Sequence, residues 1–335
     1  MKYFKIVLTG GPRGGKSTIQ KEIVKELSKY YRIYNVPETA TELSANLVKP
    51  AFCDEKYFQK KVFDRQLFKE KEALDVCKYE NKDNSIILCD RGLFDNLVYL
   101  SDKSNFDCFV SDSNSNYLDL LDSYNLVIHL ESSTLNDDLE YENDTNLERY
   151  EPRDIARGLD YETKNAYLGH RNIKIIKPYT DFSLKKKEVI DTINDQIKNG
   201  IPYVNNEFDV TNYYLNIPNN HVCIDNTVYE YLNLYKDITS RILVRNYKGY
   251  SNYLYQTVDT RSKRVLDEGK ISDLSNYSSF INNAFKNEYK DLYFYIDNDL
   301  YDIRLYKDGT KSINVLNDSY FKDDEEKISK VCLKK

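Results

Sequence analysis

Residues 7–18, VLTGGPRGGKST, constrain this chain more than any other stretch. The segment satisfies the spacing G-x-x-x-x-G-K-[ST] between an apolar run and a helical pattern. A glycine-rich loop in this position lets backbone N–H groups approach phosphate oxygens closely. In such a loop Lys16 would contact the β- and γ-phosphates, and the Ser17 hydroxyl would bind Mg²⁺. The predicted nucleotide-binding residues are Gly10, Gly11, Pro12, Arg13, Gly14, Gly15, Lys16, Ser17 and Thr18.

Five short apolar runs divide the first 200 residues, and polar or helical sequence follows each of them. Strands that alternate with helices in this way predict a parallel α/β sheet. We therefore predict an α/β P-loop NTPase fold with a kinase-like, five-stranded parallel sheet. The runs are residues 5–9, 32–36, 85–89, 125–130 and 172–177.

The pattern changes near residue 201. From residue 203 onward, apolar and polar residues alternate in segments that turn residues separate. This alternation predicts antiparallel strands whose two faces meet different surroundings. We place a domain boundary here, with a nucleotide-binding domain at 1–200 and a β-rich domain at 201–335.

Composition excludes several classes of protein. No apolar run approaches the roughly 20 residues that span a bilayer, which predicts no transmembrane segment. The formal net charge of −6 argues against a general nucleic-acid-binding protein. The six cysteines form no C-x-x-C pair and no metal-ligand spacing, which is typical of reduced thiols. We expect a cytoplasmic protein, for which peripheral contact with a membrane stays open.

Two acidic residues follow predicted strands, at the sheet edge where α/β proteins form their ligand sites. Asp90 would bind Mg²⁺, directly or through water, or act as a base; the alternative is a helix N-cap. Glu38 would act as a base or bind a substrate hydroxyl, and the alternative is again a helix-capping acid.

Three further polar residues are candidates for the same cleft. Arg91 would contact phosphate, the alternative being a solvated side chain. Arg65 and Gln66 lie on a helix predicted at 58–76 and would contact and recognise a substrate if they faced the cleft. An exposed helix face is the alternative for both.

Arginines recur every four residues at Arg149, Arg153 and Arg157, which would place them on one helix face. A mobile lid that carries them would stabilise charge on a transferred phosphoryl group and exclude water. The alternative is a helix in which Glu148, Glu151 and Asp154 pair with these arginines.

The first 200 residues resemble the nicotinamide-riboside-kinase-like P-loop ATPases, which include TRPL-translocation-defect-type proteins. The resemblance implies that VLTGGPRGGKST is the Walker A motif, PETATEL the end of strand two and CDRG the Walker B motif, with Asp95 nearby. FQ at 58–59 and Gln66 match the cleft helix, and GLDYETKNAYLGH at 158–170 the segment between lid and strand five. The resemblance implies Mg²⁺ and ATP or GTP as cofactors.

The second domain resembles a degenerate CYTH domain, the fold of triphosphate tunnel enzymes. SRILVRNYKGYSNYLYQT (240–257), RVLDEGKIS (264–272) and LYFYIDNDLYDI (292–303) carry the resemblance. The family's opening E-x-E-x-K appears only as Glu207, Asp209 and Thr211, and its late acidic pair as INVLND. These departures argue against metal-dependent triphosphate hydrolysis by this domain.

Basic residues of this second domain form a candidate anion site at Arg241, Arg245, Lys248 and Arg264. Residues 241 and 245 project to the same face of a regular strand. If the strands enclose a tunnel, this face would bind a phosphate-bearing partner, such as a phosphoinositide or a polyphosphate. The alternative is an exterior face of solvated basic residues.

Two functions stay open on the sequence alone. The first is a Mg²⁺-dependent ATP- or GTP-binding protein or NTPase whose second domain binds an anionic partner. The alternative is a small-molecule, nucleoside-type kinase that transfers the γ-phosphate to a hydroxyl held near Glu38. In either case the predicted catalytic residues are Lys16, Asp90, Glu38, Arg149 and Arg153, and the predicted metal ligands are Ser17 and Asp90.

Overall fold

The computed structural model describes residues 3–135, 152–203, 207–232, 237–296, 299–315 and 324–334. The chain forms two compact units. The first comprises Met1–Ser115, Leu120–Tyr167 and Ile173–Asp195, and the second Asn116–Asp119, Leu168–Asn172 and Gln196–Lys335. The domain boundary near residue 201 stays a prediction, because two short earlier segments also belong to the second unit.

The first unit is built on a five-stranded parallel sheet in the order β2-β3-β1-β4-β5. Its strands are Tyr3–Thr9 (β1), Arg32–Val36 (β2), Ser85–Asp90 (β3), Leu126–Leu130 (β4) and Ile173–Ile176 (β5). Every residue of β3 and β4 is buried, as expected where helices cover both faces of a parallel sheet. The strands lie at the apolar runs that predicted them, so the parallel α/β class is confirmed.

The helices before residue 200 alternate with these strands. They are Lys16–Leu27 (α1), Thr39–Asn46 (α2), Glu55–Glu80 (α3), Ser104–Asp112 (α4), Tyr117–Leu121 (α5), Arg153–Asn165 (α6) and Phe182–Asn199 (α7). Short 3₁₀ helices cover Pro50–Phe52, Leu93–Tyr99 and Ser133–Leu135. The α3 helix is longer than predicted: the Asp54 carboxylate caps its first turn, and Asn81 ends it in a left-handed conformation.

The second unit is antiparallel and rich in strands, as its alternating sequence predicted. Nine strands form one sheet in the order β6-β12-β11-β10-β9-β13-β14-β15-β7, and β8 pairs with β16. The strands are Ile201–Pro202 (β6), Phe208–Asp209 (β7), Tyr213–Leu215 (β8), Val222–Leu232 (β9), Ile238–Tyr247 (β10), Tyr250–Asp259 (β11), Arg264–Lys270 (β12), Phe285–Ile296 (β13), Asp299–Tyr306 (β14), Lys311–Val315 (β15) and Cys332–Lys334 (β16). A 3₁₀ helix, Leu274–Tyr277, and a short α-helix, Ser278–Asn283 (α8), lie between β12 and β13. The last helix is Asp324–Val331 (α9).

The two faces of the nine-stranded sheet carry different side chains. On one face, Phe294 and Ile303 pack in an apolar cluster with Val331 of α9. Asp291 and Asp302 alternate with those residues, so they lie on the other face, where they are also buried. The second unit therefore has an apolar face towards its helix and an unusually polar, buried opposite face. Its relationship to the triphosphate tunnel fold stays a prediction.

No helix among the described ranges combines the length and the apolarity needed to cross a membrane.

Candidate nucleotide-binding and acceptor site

The glycine-rich loop connects β1 to α1, where its motif requires it to be. Gly10 has a φ of +135°, and a β-carbon there would lie 2.2 Å from the carbonyl oxygen of Leu130. Gly15 immediately precedes α1 and has a φ of 83°. At both positions a side chain would strain the backbone, because positive φ favours glycine. The local fold of the loop therefore follows directly from its sequence.

The ammonium group of Lys16 lies folded over this loop. Its Nζ donates hydrogen bonds to the carbonyl oxygens of Gly10 and Gly11, each at 2.7 Å. Burial and the nearby positive charge of Arg91 lower the pKa of Lys16 to about 7, although Asp95 and other carboxylates partly oppose them. A bound anion would strongly favour the protonated, cationic form of Lys16.

The loop residues around Lys16 differ in exposure. Pro12 is buried, and Arg13 has a positive φ of 62°. Ser17 and Thr18 are exposed in the first turn of α1. The Ser17 hydroxyl forms no hydrogen bond with the parts of the chain that the structure describes, so it is available to a ligand.

Asp90 is the last residue of β3 and is 6% exposed. It does not cap a helix, because the next helical turn begins at Leu93 with Gly92 before it. Burial and repulsion by Glu38 raise the pKa of Asp90 to about 6, against the attraction of Arg91 and Lys16. Its carboxylate accepts no hydrogen bond from the described chain, which leaves it available for a cation.

Ser17 and Asp90 suit Mg²⁺ as oxygen ligands. This ion commonly keeps several waters and uses one or two protein oxygens together with substrate phosphates. The described residues contain no group of three His, Cys, Asp or Glu side chains that would hold a metal by themselves. The side chains present therefore fit a magnesium ion that arrives with a nucleotide, rather than a fully protein-bound metal.

Arg91 joins two carboxylates at the edge of the sheet. Its Nε lies 2.7 Å from Glu38 Oε1, and its Nη1 lies 3.1 Å from Asp95 Oδ1. Asp95 also accepts hydrogen bonds from the hydroxyls of Thr9, at 2.8 Å, and Tyr167, at 2.6 Å. Arg91 is therefore held by carboxylates in the structure, whereas the sequence suggested contact with phosphate.

Glu38 shows features of both roles that the sequence left open, a helix-capping acid and a base in the cleft. It immediately precedes α2, as a capping residue would, but its carboxylate contacts side chains: those of Arg91 and Thr41. Burial opposes its ionisation, yet the charge and hydrogen bond of Arg91 outweigh burial and lower the pKa of Glu38. Glu38 is therefore an ionised carboxylate at neutral pH, ready to accept a hydrogen bond from a hydroxyl.

A cavity of about 450 Å³ lies beside the loop within the first unit. Glu38, Arg91 and Asp95 supply charged groups to its wall, and Pro12 belongs to the glycine-rich loop itself. The remaining lining residues are mostly small, apolar or amide-bearing: Thr39, Ala40, Thr41, Ser44, Ala45, Pro50, Phe58, Gln59, Val62, Gln66, Gly92, Asn96 and Tyr99. This volume is within the range of small-molecule sites.

The two candidates on the cleft helix separate in the structure. Gln66 is 2% exposed and lines the cavity. Its Nε2 donates to Glu70 Oε1 at 2.7 Å and to the carbonyl oxygen of Arg91 at 3.1 Å. Arg65 instead lies on the exposed side and pairs with Glu42 at 3.1 Å.

Of the three arginines for which we predicted a lid, Arg149 lies outside the described residues. Arg153 and Arg157 are one turn apart on α6, on a common face as predicted. Their Nε atoms donate to the same carbonyl oxygen, that of Thr134, at 3.2 and 2.8 Å. The predicted action of Arg149 and Arg153 on a transferred phosphoryl group stays a prediction.

Sequence reasoning missed how α6 is attached to the glycine-rich loop. Asp160 Oδ1 accepts hydrogen bonds from the backbone N–H groups of Gly11, at 2.9 Å, and Ser132, at 3.0 Å. Asp160 Oδ2 lies 3.2 Å from Nε2 of His129 at the carboxyl end of β4. Asp160 is in the quoted segment GLDYETKNAYLGH, but nothing in that pattern indicated its partners.

In the second unit, the four basic candidates do not converge. Arg241 and Arg245 lie on the same side of β10, whose pairing with both neighbours is regular. Lys248 is in the turn between β10 and β11, whereas Arg264 pairs with Asp259 at the opposite end of that hairpin. About 30 Å of extended chain separates the two ends.

The surroundings of these basic residues also differ. Arg241 donates from Nε to Gln256 Oε1 at 2.6 Å, and its guanidinium lies 4.6 Å from the Tyr203 ring centre. Arg245 is 1% exposed and donates to the carbonyl oxygen of Gly169 at 2.5 Å. Arg264 donates to the carbonyl oxygen of Gly200 at 2.8 Å. Arg241 therefore lies between the side-chain oxygen of Gln256 and the ring of Tyr203.

Arg304 is a basic residue of this face that the sequence argument overlooked. Its guanidinium lies 3.3 Å from Asp291, 3.4 Å from Asp302 and 3.9 Å from Glu207. The alternation in DLYDIRLY was the available signal, because it places Asp302 and Arg304 on one face.

Residues 5–184, just over half of the chain, match the model of a protein family described as an AAA domain. A solved structure of thymidylate kinase from Ehrlichia chaffeensis is similar over 58% of this chain and 100% of its own, at 13% identity and a TM-score of 0.41. No curated protein matches the sequence. The family match confirms a P-loop nucleotide-binding domain, which in general uses a nucleotide and Mg²⁺. The narrower resemblances, to nicotinamide-riboside-kinase-like proteins and to triphosphate tunnel enzymes, stay predictions.

Proposed function

The chain belongs to the AAA domain family, and we propose that it is a Mg²⁺-dependent enzyme that transfers the γ-phosphate of ATP or GTP to a hydroxyl group. The observation that carries this proposal is the cavity of about 450 Å³ that Pro12 of the glycine-rich loop and the Glu38 carboxylate both line. Hydrolysis needs room only for a water molecule. A cavity of this size beside the loop suits an organic acceptor.

Each residue has a role that its surroundings support. The loop amides and Lys16 would hold the phosphates, and Ser17 and Asp90 would hold Mg²⁺, which neutralises phosphate charge. Glu38 would accept the proton of the attacking hydroxyl, since its carboxylate is ionised and lines the cavity. Arg91 fixes the position of Glu38 through their 2.7 Å contact.

Asp90→Asn tests the metal site. We expect nucleotide binding to be partly retained, while the Mg²⁺ concentration required for turnover rises by about 10- to 100-fold, because a carboxylate ligand is lost. In the wild type the Mg²⁺ requirement should also rise as the pH falls below about 6, where the raised pKa of Asp90 protonates the carboxyl. Nucleotide turnover in Mg²⁺ titrations at several pH values measures both effects.

The matched control is Asp75→Asn, which removes an exposed carboxylate from α3 and should change neither quantity. An unchanged Mg²⁺ titration for Asp90→Asn would remove Asp90 from the metal site.

A second activity, binding of a phosphate-bearing anion by the second unit, is supported by Arg241. Its closest carboxylate among the described residues is that of Glu230, 3.9 Å from Nη1. Arg304 on the same face is already surrounded by three carboxylates. We propose that an anion binds at Arg241, next to the Tyr203 ring, through charge-assisted hydrogen bonds to its planar guanidinium.

Arg241→Ala tests this anion site in the full-length chain. Lys16→Ala is used as the background, so that the glycine-rich loop does not bind the probe. We expect inorganic tripolyphosphate to bind in EDTA, with an affinity that falls with added salt and that Arg241→Ala reduces by about tenfold. Calorimetric titration measures it, and inositol-phosphate headgroups form a second set of probes.

Arg261→Ala is the control, because it removes the same charge from an exposed turn. Absence of tripolyphosphate binding, or equal binding with and without Arg241, would contradict the anion site.

A further inference from the structure

Two buried side chains of opposite charge attach the glycine-rich loop to residues 131–132, which follow β4. Asp160 of α6 is 1% exposed, and Lys185 of α7 is 3% exposed. Each of them forms one hydrogen bond with the backbone of the loop and another with the backbone of residues 131–132. The loop is therefore tied twice to the same neighbouring segment, by residues that lie 149 and 171 positions further along the chain than their partners in the loop.

Asp160 supplies the acceptor in this arrangement. A single oxygen, Oδ1, accepts from the N–H groups of Gly11, at 2.9 Å, and Ser132, at 3.0 Å. Burial opposes ionisation of this carboxyl, but the nearby His129 and the two N–H donors outweigh burial and lower the pKa of Asp160. The ionised form therefore accepts both hydrogen bonds at neutral pH, and its charge strengthens them.

The α6 helix approaches Gly11 so closely that no side chain would fit there. A β-carbon at Gly11 would lie 2.7 Å from both Cβ and Oδ1 of Asp160. The optimal separation of two such carbon atoms is about 3.5–4.0 Å. The spacing G-x-x-x-x-G-K-[ST] leaves residue 11 open to any amino acid. The contact with Asp160 therefore explains a glycine that the motif itself does not require.

The bond from Gly11 to Asp160 also orients the preceding carbonyl group. In a trans peptide unit the C=O and N–H groups point in opposite directions, because the unit is planar. Holding the Gly11 N–H towards Asp160 therefore directs the Gly10 carbonyl to the opposite side. Lys16 Nζ donates to that carbonyl at 2.7 Å. Asp160 thus helps to place the ammonium group that would contact the phosphates.

Lys185 supplies the donor on the other side of the loop. Its Nζ donates to the carbonyl oxygens of Gly14, at 2.9 Å, and Glu131, at 2.8 Å. Burial lowers the pKa of Lys185 to about 8, against the attraction of Asp160, so the side chain is mostly cationic at pH 7. Holding the Gly14 carbonyl directs the N–H of Gly15 away from Lys185, by the same planarity of the peptide unit. This N–H belongs to the part of the loop that would bind phosphate.

We propose that Asp160 and Lys185 are positioning residues that hold the glycine-rich loop in its phosphate-binding conformation before a nucleotide arrives. Donors that are already oriented need little reorganisation when the ligand binds, so this conformation raises nucleotide affinity. Side chains that only stabilised the fold would instead leave the affinity of the folded protein unchanged. The inference rests on the proposed function only through nucleotide binding by this loop, and it holds whichever hydroxyl receives the phosphate.

The experiment compares Asp160→Ala with Asp160→Asn in the full-length protein. Asparagine keeps an oxygen that can accept from both N–H groups, and its Nδ2 can donate to Nε2 of His129 when that ring carries its proton on Nδ1. We expect a non-hydrolysable ATP or GTP analogue with Mg²⁺ to bind about tenfold more weakly to Asp160→Ala, because two backbone donors lose their acceptor. Asp160→Asn should bind it at least as tightly as the wild type does. Calorimetric titration measures the affinity, and thermal unfolding confirms that each variant is folded.

Lys185→Met should also bind the analogue about tenfold more weakly, because both donated hydrogen bonds are lost. Two control variants remove charges of the same sign from exposed positions on the same helices. Glu162→Ala is the control on α6, and Lys187→Met is the control on α7. Both should bind the analogue as the wild type does.

The wild type provides a test that does not depend on how the variants fold. Without nucleotide, exchange of the Gly11 amide hydrogen with solvent should be slow, because the group is buried and bonded to Asp160. NMR spectroscopy measures this rate. Exchange as fast as in an unfolded peptide would overturn the inference.

The inference is also overturned if folded Asp160→Ala keeps the affinity of the wild type, or if Asp160→Asn loses as much affinity as Asp160→Ala. Absence of any nucleotide binding by the wild type would overturn it together with the proposed function. The expected affinities without any phosphorylated product would instead overturn only the proposed transfer reaction.

Discussion

Lys16→Ala is expected to weaken the binding of ATP and GTP by about 100-fold and to reduce turnover further, because a charged donor to the phosphates is removed. Lys16 is buried on the loop, and its Nζ has only the Gly10 and Gly11 carbonyls as hydrogen-bond acceptors among the described residues. Calorimetric titration with each nucleotide measures the affinity. Lys25→Ala, an exposed lysine on the same helix, should bind as the wild type does.

The lowered pKa of Lys16 also predicts how nucleotide affinity depends on pH. With a pKa of about 7, roughly half of the Lys16 side chains are neutral at pH 7 in the free protein. Bound phosphates raise the pKa of Lys16, so binding takes up a proton between pH 7 and the new value. Affinity should therefore fall as the pH rises above 7. Lys16→Ala should lack this part of the pH dependence, and an unchanged profile would contradict the contact with phosphate.

Glu38→Gln should reduce phosphoryl transfer by about 100-fold or more while leaving nucleotide affinity unchanged, since a general base contributes on that order. Glutamine keeps the shape of the side chain but cannot take a proton from the hydroxyl. Arg91 retains its contact with Asp95 in this variant, so the cavity wall keeps one of its two ion pairs. Single-turnover transfer to the acceptor, measured beside nucleotide affinity, separates the two effects.

Glu42→Gln is the matched control on the same helix, because Glu42 pairs with Arg65 and Lys69 and does not line the cavity. Equal transfer rates for the wild type and Glu38→Gln would contradict the role of Glu38 as the base.

Much of the fold could be predicted because its signals are local. A short, continuous apolar run between polar segments, such as residues 85–89, is typical of a buried parallel strand, and it forms most of β3. Ile19, Ile23 and Leu27 recur every four residues, which is a local pattern of one helix face, and all three are buried on α1. The glycine-rich loop could be predicted equally well, because its backbone conformation requires glycine at fixed positions.

The side-chain partners within the site could not be predicted in this way. Asp160 meets Gly11 across 149 residues of sequence, and Gln59 and Asn96 share a cavity only because α3 and the turn after β3 pack together. Arg245 was placed correctly beside Arg241 on one side of β10, but strand spacing does not reveal that its guanidinium donates to a backbone carbonyl. Packing between distant segments decides which polar atoms already have hydrogen-bond partners within the protein and which can contact a ligand.

The central claim is that phosphate passes from a nucleotide on the glycine-rich loop to a hydroxyl in the adjacent cavity. The most direct measurement follows γ-³²P-labelled ATP and GTP incubated with the full-length protein, Mg²⁺ and a panel of hydroxyl-bearing nucleosides. The account predicts that label appears on an organic acceptor, that Glu38→Gln greatly slows this transfer, and that Lys16→Ala abolishes it. Release of the label only as inorganic phosphate, at a rate that no acceptor changes, would contradict it.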